Sequence, residues 1–263
     1  YENCIGTSSK QKTGYMKYDM KRAFEEGYTE FLFDTVDPTH VFICTGFTWV
    51  DGCETRDEEC EIMNHTGPLH MCKIAQKYNC KPIWFSTDYV FDGLNGPYEE
   101  DALTAPLNKY GNAKKFGEVN ILKNVEDALI IRTNMVFGPD PSKKNFVWQV
   151  LTHSITCGPN DQFGTPVYSK DIAIACKKLI NINATGIVHI SGNEFVSREE
   201  FVKKIQGLFK IKRVIEFKQT NEINKKREVA TRPLKAGLVN KRVFELIDWQ
   251  PLLIEDALID WLL

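Results

Sequence analysis

An α/β fold built around a parallel sheet is predicted by three observations. Strand-like apolar segments alternate with helical ones along the chain. The apolar strand Pro82–Ser86 ends on the hydroxyls of Ser86 and Thr87, where a parallel sheet opens its ligand crevice, and the helical pair Tyr110 and Lys114 follows. The 263 residues, 43% hydrophobic and 26% charged, suffice for a sizeable core in one large domain or two unequal ones.

In chain order, strands are expected near Asn3–Gly6, His40–Thr45, Pro82–Ser86, Ala128–Thr133 and Gly186–Ser191. Helices are expected over Lys21–Glu26, over Glu59–Tyr78 with its mixed three- and four-residue apolar steps, and over Lys109–Lys123 and Ser169–Ile180. Asp37-Pro38 marks the turn into the second core strand, and Gly138-Pro139 closes the first portion. Beyond it, Ser197–Phe209 reads as a helix whose N-cap Ser197 meets Glu200 three residues on, a capping box. Val214–Phe217 reads as a short strand, Lys218–Arg232 as a charged surface loop over the site, and Asn240–Ile247 and Ile254–Leu263 as closing helices.

A net charge of −2 gives no electrostatic reason to expect nucleic acid or an anionic membrane as partner. No apolar run approaches the roughly 18–20 residues of a membrane span, and the first residues do not read as a signal peptide, so the cytoplasm is the expected compartment. The eight cysteines form no C-x-x-C pair and fit reduced, mostly buried thiols better than zinc; no metal site is expected. Asn64-His65-Thr66 and Asn183-Ala184-Thr185 match a glycosylation sequon that carries little weight without a secretory signal.

The chemistry is concentrated in Tyr110-Gly111-Asn112-Ala113-Lys114. Positions i and i+4 share a helix face, so phenol and ammonium point the same way. A phenol ionises near pH ~10, too high for easy proton exchange at neutrality, and a neighbouring cation pulls that value down. With the Thr87 hydroxyl these side chains make a proton-donor site for a carbonyl oxygen. Each also has a plainer explanation: a half-buried helix tyrosine, a solvated lysine like its neighbour Lys115, a β-branched strand end.

With these residues the chain resembles the dTDP-4-dehydrorhamnose reductase family of extended short-chain dehydrogenases/reductases. Ordered blocks carry the resemblance: Thr45–Glu54, Ser86–Gly93, Tyr110–Glu118, Arg132–Gly138, Gly164–Ala173 and Arg232–Leu238. It implies a Rossmann-like doubly wound sheet in residues 1–138, with 164–192 returning to it, and a smaller mixed α/β region, mainly substrate-binding, in 139–263. It implies an NAD(P)H-dependent reductase of a nucleotide-linked 4-keto-6-deoxy sugar in which Tyr110 is the general acid, Lys114 lowers its pKa and meets the nicotinamide ribose, and Thr87 orients the keto oxygen. Thr45, Gly46 and Phe47 would pack along the cofactor, and Asp19 and Met20 would flank the adenine. Ser8, Ser9 and Lys10 suit a 2′-phosphate, which favours NADP, with NAD as the alternative. Asp88 and Tyr89 would contact the sugar, Asp88 having a turn-stabilising role as its rival. Met135 stands where many members carry an aromatic residue near the sugar, and Arg232 suits a nucleotide diphosphate. A homodimer or a partner enzyme is compatible with the family.

One departure stands out. No glycine-rich dinucleotide turn occurs near the start, and Cys4–Lys10 resembles the second strand of the family fold and the loop after it. The expectation is a fragment lacking roughly 25–30 N-terminal residues; the alternative is a natural truncation without dinucleotide binding. A non-catalytic role is also open, since the β regulatory subunit of methionine adenosyltransferase resembles the same family and shares the Ser86–Gly93 type of turn.

Overall fold

The computed structural model describes residues 4–152, 154–224 and 229–262. Asn3 and Leu263, at the ends of two expected elements, and 225–228, within the expected loop, lie outside the described residues. Two compact units emerge: residues 1–86 with 108–130, and residues 87–107 with 131–263. The division thus differs from the expected 138/139 boundary, because 87–107 and 131–138 pack with the C-terminal unit.

In the first unit, β1 (Gly6–Ser8) pairs in parallel with β2 (Tyr15–Lys17), a two-stranded sheet of its own. The expected helix Lys21–Glu26 is only a single 3-10 turn at Met20–Arg22, and the real helix α1 (Tyr28–Val36) begins after it. Gly27, at φ +71°, reverses the chain between them as only glycine does cheaply. β3 (His40–Ile43) follows, then α2 (Val50–Thr55), which the sequence reading missed, and α3 (Asp57–Glu61). The expected long helix Glu59–Tyr78 is interrupted by a π-helical turn at Ile62–Thr66 before α4 (Gly67–Lys77). Pro68 explains the interruption: its nitrogen has no hydrogen to give and its ring crowds the carbonyl one turn back. β4 (Lys81–Thr87) pairs in parallel with β3, α5 (Lys109–Asn124) packs over the π turn, and β5 (Leu129–Thr133) begins on the other side of β4. Ile83 and Trp84 of β4 and Leu129 of β5 are fully buried, as strands of a covered parallel sheet are, and so are Ala113 and Ile121 of α5.

In the second unit, the continuation of β5 accepts β10, with the Ile190 N–H donating to the Arg132 carbonyl at 2.9 Å. The elements run β6 (Val136–Phe137), α6 (Phe146–Leu151), β7 (Cys157–Pro159), β8 (Phe163–Gly164), β9 (Val167–Tyr168), α7 (Ser169–Asn181) and β10 (Gly186–His189). Then come β11 (Val196–Ser197), α8 (Arg198–Leu208), β12 (Glu216–Lys218), α9 (Thr220–Asn224), α10 (Lys241–Ile247) and α11 (Ile254–Leu262). The Ser197–Glu200 capping box is present in both directions. Helices α6, α8 and α11 bury Val147, Phe201, Ile205 and Leu258 in one apolar core. Among the described residues no helix is long and apolar enough to cross a membrane, and none of the eight cysteines is in a disulfide.

Candidate active site

The expected site residues fall into two sets, one in each unit, and each set is organised within its own unit.

In the first unit, α5 presents Tyr110 and Lys114. Its start is fixed by the Asn108 side chain, which accepts from the Gly111 N–H at 2.8 Å, and by α2 and α3. From these, Glu54 accepts the Lys109 N–H at 2.9 Å and Asp57 pairs with the Lys109 ammonium at 3.1 Å. Tyr110 therefore sits in the first turn of α5. Both Tyr110 and Lys114 are buried, at 8% and 4% exposure. The Lys114 ammonium donates to the Phe85 carbonyl at 2.8 Å and lies 4.5 Å from the Trp84 ring centre. Burial pushes its pKa down to about 8, partly opposed by Glu118 one turn along. Glu118 itself accepts from the Ser86 hydroxyl at 2.5 Å.

The Thr45–Phe47 loop passes close to this lysine. A Cβ on Gly46 would stand 3.7 Å from the ammonium and 3.2 Å from the Asn64 side-chain oxygen. Asn64, fully buried in the π turn, grips the neighbouring peptide at both ends, accepting from the Phe47 N–H and donating to the Phe47 carbonyl, each at 3.0 Å. π turns often mark functional sites, yet Asn64 was missed at the sequence level, where it stood out only as part of a sequon. Gly117 lets α5 approach: a Cβ there would meet the Trp84 ring at 2.5 Å and the Asn64 carbonyl at 3.1 Å.

The other expected cofactor residues differ in character. Ser9 and Lys10 are exposed after β1, and the Lys10 N–H turns back to the Ser8 hydroxyl at 3.3 Å. Asp19 caps the 3-10 turn by accepting from the Lys21 N–H at 3.0 Å. Met20 is packed into the core against Gly67, where a Cβ would meet its sulfur at 2.9 Å, so its side chain serves packing.

In the second unit, the Thr87 hydroxyl donates to Asp88 at 3.1 Å and accepts from the Tyr89 N–H at 3.2 Å. Its only proton thus points at a carboxylate, a constraint the sequence did not reveal. Asn134 donates to the other Asp88 oxygen at 3.2 Å and accepts from Thr165 at 3.1 Å. Burial nonetheless pushes the Asp88 carboxyl up to about 7, against the lowering effect of these bonds. Met135 adopts φ +41°, a left-handed conformation costing about 1 kcal/mol. Its sulfur fills the space beside Gly164, where a Cβ would stand 2.6 Å away. Strain of this kind collects where surrounding structure over-determines a residue.

Residues 162–164 form the middle of three adjoining segments. On one side β8 pairs antiparallel with β11, and the Arg198 N–H donates to the Gln162 carbonyl at 2.9 Å. On the other, the Phe163 N–H donates to the Leu234 carbonyl at 2.6 Å. The Arg232–Leu238 block also closes over the turn at Gly93, whose φ of +72° and contact with Pro233 leave no room for a side chain. The Arg232 guanidinium donates to the Ala230 carbonyl at 3.1 Å. Asp88, Met135 and Arg232 are thereby tied to one framework through Asn134, Gly164 and Leu234.

A family model described as RmlD substrate binding domain matches residues 13–261. The chain is 33% identical over 167 residues to a dTDP-4-dehydrorhamnose reductase of Mycobacterium tuberculosis, covering 59% of this chain and 54% of that protein. It is 27% identical over 189 residues to methionine adenosyltransferase 2 subunit beta of Xenopus laevis, covering 68% of this chain and 57% of that protein. The chain thus spans little more than half the length of these relatives. The crystal structure of a Bacillus anthracis dTDP-4-dehydrorhamnose reductase in complex with NADP superposes with a TM-score of 0.86 at 24% identity, over 98% of this chain and 97% of that one. The fold is therefore α/β, as the strand and helix alternation predicts, and Rossmann-like, as the resemblance implies.

Proposed function

The chain belongs to the RmlD substrate-binding-domain family, and on that premise we propose that it acts as an NAD(P)H-dependent reductase of a nucleotide-linked 4-keto-6-deoxy sugar. The observation that carries the proposal is the buried Tyr110–Lys114 pair on one face of α5, with the Thr45–Phe47 loop beside the ammonium. These residues fit a nicotinamide cofactor. Among the described residues Lys114 spends one of its donors on Phe85, and Gly46 leaves open the space a Cβ would fill near the others. Thr45, Gly46 and Phe47 would line the cofactor, and Ser8, Ser9 and Lys10 suit the 2′-phosphate of NADP.

A nicotinamide cofactor held by these residues would supply the hydride for the C4 carbonyl carbon. Tyr110 gives its phenolic proton to the carbonyl oxygen as that oxygen gains charge, leaving an alcohol. Lys114 stabilises the phenolate that remains. Thr87 hydrogen-bonds the substrate once its proton is released from Asp88, and Asp88, Tyr89, Met135 and Arg232 hold the sugar nucleotide. The test is NADPH oxidation with a dTDP-4-keto-6-deoxy sugar. Tyr110→Phe should cut turnover by about 10²-fold or more while NADP⁺ affinity stays within about twofold; undiminished turnover overturns the assignment.

A second reading, a non-catalytic NADP-binding regulatory subunit, is favoured by the breadth of the match to the Xenopus protein, 68% of this chain. It expects NADP⁺ binding and co-purification with a methionine adenosyltransferase, and no NADPH consumption on the keto sugar.

A further inference from the structure

The first unit brings two thiols together beside the loop that borders Lys114. Cys53 lies on α2 and Cys60 on α3. Arg56, at φ −118° and ψ 63°, breaks the helical path between them, and both side chains turn to Asn64. The Asn64 amide nitrogen stands 3.6 Å from the Cys60 sulfur and 4.0 Å from the Cys53 sulfur. The Cys53 S–H also reaches the Phe47 carbonyl at 3.5 Å. Both thiols are buried, at 0% and 1% exposure, and both are reduced.

The pair is chemically asymmetric. The Cys53 S–H hydrogen-bonds the Cys60 sulfur, and this contact, opposed by burial and aided by Asn64, holds the Cys60 thiol below its ordinary pKa. The same contact, with burial, pushes the Cys53 thiol up. Cys60 is thus the better nucleophile, and Cys53 is the thiol that keeps its proton. Access to them depends on α2 and α3, which have six and five residues and no side-chain N-cap bond. Helices this short hold by packing and open locally at low cost. A small oxidant needs only such an opening.

We propose that Cys53 and Cys60 form an oxidisable dithiol, a modification site that hydrogen peroxide converts to a disulfide. The Cys60 thiolate attacks one peroxide oxygen, the O–O bond breaks, hydroxide leaves, and the sulfur becomes a sulfenic acid. The Cys53 sulfur then attacks the Cys60 sulfur, the S–O bond breaks, and the departing hydroxide takes the Cys53 proton as water. Counting the proton that Cys60 released on ionising, two thiols and one peroxide give one disulfide and two waters. The sulfurs lose the two electrons that the peroxide gains. A disulfide has no S–H, so the Phe47 carbonyl loses the Cys53 donor on the loop beside Lys114. The effect on cofactor binding rests on the reductase reading; the oxidation itself does not.

The test treats the whole protein with hydrogen peroxide, alkylates the remaining thiols after unfolding, and maps the peptides by mass spectrometry. A cross-link between Cys53 and Cys60, reversed by dithiothreitol, is expected. Cys53→Ala should stop at the Cys60 sulfenic acid, which dimedone traps, and Cys60→Ala should leave Cys53 reduced. The wild-type map decides the matter even if these variants fold poorly. In calorimetric titration, NADP⁺ should bind the oxidised protein about 5- to 10-fold more weakly, the worth of one hydrogen bond, and recover on reduction. Peroxide should leave the NADP⁺ affinity of Cys60→Ala where it was. Cys53 and Cys60 still reduced after peroxide, or either one cross-linked to Cys44 instead, overturns the assignment. A Cys53–Cys60 disulfide with unchanged NADP⁺ affinity upholds the modification site and refutes its coupling to the loop. If the disulfide forms and NADP⁺ binds neither redox state, the dithiol stands and the reductase reading falls.

Discussion

Thr87 donates its hydroxyl proton to Asp88 across 3.1 Å, and Asp88 is a carboxyl that burial has pushed up to about 7. The unfolded chain releases the Asp88 proton near its ordinary 3.8, the folded chain only near 7. Between those values the folded state holds more protons, so stability from this group is lost as pH rises through the window. Asp88→Asn removes the dependence. In urea unfolding the variant should gain on the wild type by about 2–4 kcal/mol between pH 4 and pH 8; a constant difference would show that Asp88 ionises normally.

Lys114 has the opposite sign. Its folded pKa is depressed from 10.5 to about 8, so between these values the unfolded state holds more protons. Stability therefore rises with pH across that window. Against Lys114→Met, which carries no charge, the wild type should gain about 1–3 kcal/mol between pH 7 and pH 10. Guanidinium unfolding at the two values measures it, and parallel curves would refute the depressed pKa.

Asn64 fixes Phe47 through main-chain atoms alone. Asn64→Leu removes both bonds and leaves the Phe47 N–H and carbonyl without their partner. The expected loss is about 2–4 kcal/mol, seen as a lowered denaturation midpoint. Amide exchange at Phe47 should accelerate in the same variant.

Two helix glycines should respond in opposite directions to alanine. Gly117→Ala drives a methyl group into Trp84 at 2.5 Å and should cost about 1–3 kcal/mol. Gly207 in α8 has nothing within 4 Å of a new Cβ and an ordinary φ, so Gly207→Ala should stabilise by about 0.5–1 kcal/mol. Thermal midpoints moving the same way would contradict the packing described around Trp84.

Much of this was legible in the sequence because the signals were local. The apolar run into β4, the helix carrying Tyr110 and Lys114, and the Ser197–Glu200 box each depend on residues within one turn or strand. The failures came where distant contacts decide. Lys21–Glu26 has helical composition, yet Gly27 reverses the chain and the helix forms one segment later. The π turn follows from Pro68 in a helix that packing against α5 keeps otherwise continuous, which periodicity does not reveal. The packing of Met20 against Gly67, 47 positions away, is likewise invisible to local pattern. Nothing local marks Arg198, because its partners Gln162 and Phe146 lie 36 and 52 positions away.

The strip at 162–164 has a consequence for how this protein diverges. It is shared backing for Arg198 on one flank and the Leu234 stretch on the other, with Met135 wedged against Gly164. Groups that lean on one support do not change independently. Exchanges at 135, 164, 198 and 232 should therefore be epistatic, and a new ligand preference would be reached by joint replacement rather than by stepwise single changes.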